Sequence, residues 1–114
     1  MNEPCLGSNV CTRRLPDYTG VQIVEVAEGG PTDLRAAMDV AVGIAQERVG
    51  EHMLLSWYDR DRGIESPGHA KECDRPGAVP GYVEYGLSRG ARLKVDIGAG
   101  RFVFFFLPLA DAMA

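Results

Sequence analysis

Hydrophobic and polar positions repeat along the chain with two different periods, and these divide its first half into a strand and a helix. Residues 21–26 are rich in β-branched side chains and lie between glycine-containing turns, which predicts a strand. Over residues 32–49, apolar side chains recur at helical spacing before Gly50, which predicts a helix. Thr32 and Asp33 suit its N-terminus. Gly43 lies inside this helix and predicts the close approach of another backbone.

The second half of the chain contains three further strands and one segment that fits two structures. Residues 53–58 are apolar on both faces and predict a strand parallel to the first, joined to it by a right-handed crossover. Residues 93–97 and 101–107 flank a glycine-rich turn and are typical of a hairpin. Residues 80–90 fit both a strand and a helix, but Pro80 and Gly90 favour a short helix. Residues 60–78 have little periodicity and are interpreted as a long loop.

This order of elements, β-α-β-loop-α-β-β, predicts an α+β fold. We expect a two-layer sandwich of about four strands with the two helices on one face. The length of 114 residues fits one domain with a core of its own. We assign this domain to residues 20–109, with a flexible arm at residues 1–19 and a short tail at residues 110–114.

Two of the predicted strands carry more apolar residues than helices on one face can cover. Residues 53–58 and 102–107 are apolar on both faces, whereas Lys94 and Asp96 make one face of a third strand polar. The remaining apolar face predicts self-association, with a dimer favoured. The residues expected at that interface are Phe102, Phe104, Phe105, Phe106 and Leu54.

Composition restricts the partners and the compartment. The chain has 12 basic and 16 acidic residues and a net charge of −4, so we expect no nucleic-acid partner. Its longest apolar run is far shorter than the roughly 20 residues that cross a bilayer, so no membrane partner is expected. The first residues lack the features of a secretory signal, and the three cysteines form no C-x-x-C pair. These features predict a cytoplasmic protein with reduced thiols.

The long predicted loop contains residue types that can carry thiol chemistry. His69 and Cys73 stand four positions apart, and a thiol beside an imidazole is the minimal pair of a nucleophile and a base. Glu72 and Arg89 are candidate helpers of this pair. The opposing interpretation is that these are inert residues of a polar loop, and we favour it.

The spacing of the candidate ligand residues argues against both a metal site and an anion site. A zinc site formed by Cys5, Cys11, His69 and Cys73 lacks the usual closely spaced ligand pairs, so no metal and no other cofactor is expected. The turn at residues 28–32 offers backbone N–H groups at a helix N-terminus to an anion. It lacks the spacing of known phosphate-binding loops, which favours a plain connection.

Aromatic residues with polar groups lie near the ends of the predicted elements. Such side chains line small-molecule pockets, and equally often they anchor a core or an interface. The candidates for ligand binding are Trp57, Tyr58, Tyr82 and Tyr85.

Short motifs are scattered over residues 20–107. They are Leu54-Leu55-Ser56-Trp57-Tyr58-Asp59, Arg62-Gly63, Ser66-Pro67, Glu72-Cys73, Tyr85, Ser88-Arg89-Gly90, Val95-Asp96-Ile97 and Phe102-Val103-Phe104. In these motifs the chain resembles a family of small uncharacterised α+β proteins from archaea and anaerobic bacteria, and it is also similar to orphan proteins of mobile integron gene cassettes. The resemblance implies a compact α+β domain of unknown function and carries no activity over to this chain.

Two functional hypotheses follow from the sequence. The first is a non-enzymatic, self-associating domain that binds a small molecule or a protein partner. Its contact region would be the helix-free face of the sheet together with residues 60–78. The alternative is a small thiol or acid–base enzyme that uses Cys73 and His69.

Overall fold

In a computed structural model, which describes residues 16–27, 30–67 and 80–112, the chain forms five strands and three helices. They are β1 (Gln22–Val26), α1 (Leu34–Val49), β2 (His52–Asp59), β3 (Ile64–Ser66), α2 (Gly81–Ser88), β4 (Leu93–Ile97), β5 (Phe102–Pro108) and α3 (Leu109–Ala112). The strands form one sheet in the order β1-β4-β5-β2-β3. The predicted α+β class is confirmed, and α2 resolves the ambiguity of residues 80–90 in favour of a helix.

The C-terminal hairpin lies in the middle of the sheet. β1 and β4 pair in parallel, whereas the β4–β5, β5–β2 and β2–β3 pairs are antiparallel. β1 and β2 therefore run in the same direction, as the sequence predicts for two strands joined by a helix. They are not neighbours, because β4 and β5 lie between them.

The two longer helices pack on opposite faces of the sheet, which corrects the prediction that both lie on one face. Ala37, Ala41 and Ala45 of α1 are fully buried against one side of β4 and β5. Val83 of α2 packs in a second core that contains Phe105. We call these two sides of the sheet the α1 face and the α2 face. Hydrophobic periodicity shows that β5 is buried on both faces, but it does not say which element covers each face.

The expected dimer interface is instead the core of a single chain. Phe102, Phe104 and Phe106 are 0% exposed on the α1 face, and Phe105 is 0% exposed on the α2 face. Leu54 is partly buried against the α1-face core. The prediction placed these side chains on a bare face, but α1 covers Phe102, Phe104 and Phe106, and α2 covers Phe105. A second copy cannot reach these rings, so any self-association surface lies elsewhere.

Local capping explains the bounds of α1. The Asp33 side chain accepts a hydrogen bond from the Ala36 N–H at 2.9 Å, and the Gly50 N–H bonds to the Gln46 carbonyl at 3.1 Å. Gly50 has a φ of 77°, a conformation that glycine adopts without strain. Gly43 is exposed, and among the described residues no atom outside the helix backbone lies within 4 Å of the place its Cβ would take. The close backbone approach predicted at Gly43 is therefore absent among the described residues.

Packed structure extends beyond the predicted bounds of the domain. Ile64–Ser66, assigned to the long loop, form β3 and pair with the end of β2. Tyr18, assigned to the flexible arm, stacks on Phe105 with ring centroids 6.4 Å apart. In the assigned tail, Asp111 of α3 forms an ion pair with Arg92 at 2.9 Å. No helix in the described ranges is long and apolar enough to cross a membrane.

Candidate binding site at the carboxyl edge of the sheet

The strand directions bring several connections to one edge of the sheet. β1, β4 and β2 all end there and β5 begins there, so we call it the carboxyl edge. Because Asp59 pairs with Phe102, the residues just outside this pair also meet, and the Arg60 N–H donates to the Arg101 carbonyl at 2.8 Å. In open sheets with parallel strands, ligands bind preferentially outside the carboxyl ends of those strands.

The turn between β4 and β5 is held in an uncommon conformation at this edge. Gly98, Ala99 and Gly100 all have positive φ, and for Ala99 this costs about 1–2 kcal/mol. The Gly100 N–H donates to the Asp96 carboxylate at 2.6 Å, and the Gly98 N–H donates to the Val26 carbonyl at 2.9 Å. These bonds tie the turn to β1 and β4, so its backbone forms a fixed wall of the edge.

A cavity of about 280 Å³ opens beside this turn, on the side where β1 leads into α1. We call it the arginine cavity. Its lining residues come from three connections: Ala27, Gly30, Pro31, Arg60, Ile97, Gly98 and Arg101.

Arg101 is oriented by its hydrogen bonds to two other connections. Its Nε and Nη2 atoms donate to Asp61 Oδ2 at 2.8 and 2.6 Å, and its Nη1 and Nη2 atoms donate to the Pro31 and Thr32 carbonyls at 3.3 and 3.2 Å. The hydrogen bond from Arg101 holds the pKa of the Asp61 carboxyl below its ordinary value. Arg101 thus joins the start of α1 to the turn after β2, and its guanidinium has a defined place in the cavity wall.

Arg60 is the more accessible cation of the arginine cavity. Its side chain is exposed, and Nη1 makes a long hydrogen bond of 3.4 Å to the Ala99 carbonyl. The neighbouring acids are paired elsewhere: buried Asp59 with Arg62 at 2.8 Å, and Asp61 with Arg101. None of the ion pairs among the described residues uses Arg60. Its charge helps to lower the pKa of the Asp61 carboxyl, but the ion pairs named above leave its side chain exposed.

A second cavity, of about 400 Å³, opens on the other side of Ala27. Glu25 and Asp96 line it together with Val26, Ala27 and Ala99, so we call it the acidic cavity. The carboxylates here disfavour an anion. The two cavities therefore differ in the sign of their charged walls, although they share one residue.

The four aromatic residues predicted to bind a ligand do not come together. Tyr58 and Tyr82 stack on the α2 face with centroids 4.9 Å apart. Trp57 packs against the core of the α1 face. The Tyr85 ring is contacted by the Arg89 guanidinium at 4.7 Å. Two of the four thus form one stack, and the sequence offered no signal for which two.

The Tyr58–Tyr82 stack belongs to a packed polar cluster on the α2 face. Burial raises the pKa of Tyr82, and its neighbours Tyr18, Tyr58, Asp96 and Glu65 raise it further. The Ser56 hydroxyl donates to the Tyr82 carbonyl at 2.7 Å and fixes the start of α2 on β2. Tyr82 is therefore a half-buried packing residue, and its surroundings favour the neutral phenol.

The candidates for thiol chemistry are only partly placed. Cys73, His69 and Glu72 lie outside the described residues, as do Cys5 and Cys11 of the zinc set considered above. Arg89 is exposed at the end of α2. In the described part of the chain, no three His, Cys, Asp or Glu side chains are grouped so that they could hold a metal ion. The thiol hypothesis remains a prediction.

Comparison with known proteins places the chain among domains without an assigned activity. Residues 21–106 match the family model described as a domain of unknown function, DUF5619. The crystal structure of a novel non-family-model protein, AF1514 from Archeoglobus fulgidus DSM 4304, is similar with a TM-score of 0.60 and 27% sequence identity. The match covers 77% of this chain and 94% of that chain. No curated protein matches.

Proposed function

The chain belongs to the DUF5619 family, a domain of unknown function, so we propose its function from its own residues. It is a binding domain that holds a small oxyanion in the arginine cavity. The observation that carries the proposal is that the exposed side chain of Arg60 and the anchored guanidinium of Arg101 line one cavity. A guanidinium presents planar N–H groups that match the oxygens of a phosphate or a carboxylate.

Fixed surroundings support this proposal because they lower the entropic cost of binding. Arg101 is held by Asp61 and by two backbone carbonyls, and the turn at Gly98 is tied to β1. A ligand therefore needs to order only Arg60 among the two cations. Groups that are held in place before binding contribute more of their interaction energy to the affinity.

The cavity and its charges also limit the ligand. A volume of about 280 Å³ is near the lower end of the range for small-molecule sites. Hydrogen bonds to charged groups contribute roughly 1.5–3 kcal/mol each, so two such bonds correspond to a dissociation constant between about 6 mM and about 40 μM. Asp61 already neutralises part of the charge of Arg101, so we expect Arg60 to contribute most of the affinity.

The test is a titration of the ¹⁵N-labelled protein with sodium phosphate, followed by amide chemical shifts and matched to a sodium chloride titration at equal ionic strength. We expect saturable shifts at Arg60, Gly98 and Arg101. Arg60→Gln should weaken phosphate binding at least about tenfold, since a charge-assisted bond is lost. Arg92→Gln is the matched control, because Arg92 is also exposed and lies at the opposite edge of the sheet, where β4 begins.

Three results would refute the proposal. The first is a set of shifts equal to those caused by chloride. The second is a set of shifts spread over the surface without saturation. The third is equal weakening by Arg60→Gln and Arg92→Gln, which would indicate a general response to the charge of the protein rather than a site.

A further inference from the structure

β1 is an edge strand whose outer side is open in the described structure. The Gln22 N–H donates to the Arg92 carbonyl at 2.8 Å, and the Val26 carbonyl accepts from the Gly98 N–H at 2.9 Å. In a parallel pair, alternate residues bond to the neighbouring strand, so Val24 also turns its backbone groups towards β4. Ile23 and Glu25 therefore direct their N–H and carbonyl groups away from the sheet.

The two outermost strands of the sheet, β1 and β3, differ in how well they are protected from pairing with another chain. β3 has only three residues and is followed directly by Pro67, which has no N–H to donate. β1 has five residues and contains neither proline nor lysine. Short strands, prolines and charged side chains are the usual means by which proteins keep an edge from pairing with another chain. β1 is not shortened and has no proline, and its one charged residue is Glu25.

We propose that β1 pairs antiparallel with β1 of a second copy of this chain, about a two-fold axis at Val24. Ile23 of each copy then lies opposite Glu25 of the other, and these two pairs exchange hydrogen bonds between the outward backbone groups. The contact is isologous, because both copies use the same surface. The two sheets join into one continuous sheet of ten strands.

The side chains of β1 are complementary in this register. Ile23 is 45% exposed, and pairing covers it with the methylene groups of Glu25 from the second copy. Val24 meets Val24 across the axis on the α1 face, where each is already half-buried. Glu25 faces Ile23 rather than another Glu25, so like charges are not placed opposite each other. A two-fold axis at Ile23 would instead pair Glu25 with Val21, which lies outside the strand.

The experiment measures the dissociation constant of the dimer by sedimentation velocity from low to high micromolar concentration. Ile23→Glu places an acidic side chain opposite Glu25 of the other copy, and the two-fold axis repeats this pair. We expect the substitution to weaken the dimer at least about tenfold. Ile23→Lys places a lysine opposite Glu25 and should leave the dimer unchanged or tighter. Ile64→Glu on β3 is the matched control, because Ile64 is 40% exposed at the other edge.

Circular dichroism of each variant checks that it is folded before the association is compared. A wild-type chain that stays monomeric at high micromolar concentration overturns the proposal. It is also overturned if Ile64→Glu weakens the dimer as much as Ile23→Glu does. Equal weakening by Ile23→Lys and Ile23→Glu overturns the register at Val24, because the lysine then faces a lysine across an axis at residue 23.

Discussion

Replacement of Gly86 by alanine tests how closely α2 lies on the sheet. A Cβ atom at Gly86 would stand 2.8 Å from Cγ, 2.9 Å from Cβ and 3.0 Å from Cδ2 of Phe105. The Phe105 ring is fully buried between Tyr18 and Tyr82, whose centroids lie 6.4 and 6.1 Å away. The ring therefore has little freedom to move aside, and the helix must shift instead.

The size of the effect follows from two opposing contributions. Adding a methyl group to a well-packed core costs typically about 1–3 kcal/mol, and this contact lies in the upper part of that range because the crowded ring is itself enclosed. Alanine is better than glycine in a helix by about 1 kcal/mol. We expect Gly86→Ala to lower the free energy of unfolding by about 1–2 kcal/mol. This corresponds to a melting temperature lower by about 4–8 °C.

Gly43→Ala is the matched control, since it makes the same change in the middle of α1. In the described part of the chain, no atom outside the helix backbone lies within 4 Å of the new Cβ, so we expect only the helix propensity to change. We expect the free energy of unfolding to rise by about 1 kcal/mol. Urea denaturation followed by Trp57 fluorescence and by far-ultraviolet circular dichroism measures both variants against the wild type.

The essential result is that the two substitutions change the free energy of unfolding in opposite directions. If Gly86→Ala were as stable as the wild type or more stable, α2 could not lie as close to Phe105 as the structure has it. If Gly43→Ala lost stability, and lost more at higher protein concentration, another copy of the chain would lie against α1. That second result would support the prediction from the sequence that another backbone approaches Gly43 closely.

Three further predictions concern single side chains. Asp33→Ala should lower the free energy of unfolding by about 0.5–2 kcal/mol, because the Ala36 N–H loses its acceptor. Asp33→Asn should lower it much less, and equal melting temperatures of the two variants would contradict the role of Asp33 as the helix cap. Ser56→Ala should lower the free energy of unfolding in urea by about 1 kcal/mol, since a buried hydrogen bond to the Tyr82 carbonyl is lost, and a neutral result would contradict it. Because the folded pKa of Tyr82 is raised above 10.0, its contribution to stability is complete below that pH and is lost as the pH rises further. Tyr82→Phe should therefore lose less stability than the wild type between neutral and strongly alkaline pH, and equal losses in urea unfolding would contradict this assignment.

Elements whose signals are local could be predicted closely from the sequence. α1 begins after Asp33 and ends before Gly50, as its capping residues indicate. The turn at Gly98 identified the hairpin of β4 and β5. β3 has only three residues, which is too short for a periodic pattern to show. Such a strand is recognised only through its pairing with β2.

The assignment of helices to faces could not be read from periodicity. The apolar residues of β5 show that both faces are buried, and either a helix or a second copy of the chain can satisfy that requirement. The deciding feature is in α2, where Gly86 has no side chain and lets the helix approach Phe105. A small residue on the apolar side of a short helix was therefore the feature of the sequence that could have indicated close packing of α2 on the sheet.

The arginine cavity depends on the order of the strands, which no local motif specifies. In the sequence, Arg60 lies in a run of alternating charges typical of a solvated rim, and Arg101 lies at the start of a hairpin strand. They become neighbours because β5 pairs with β2 so that Asp59 lies opposite Phe102. Had β5 paired with β1, Arg101 would face the end of a different strand and Arg60 would line no cavity with it. The proposed binding site is thus a consequence of placing the C-terminal hairpin between β1 and β2, and the same placement leaves β1 at the edge where a second copy can pair.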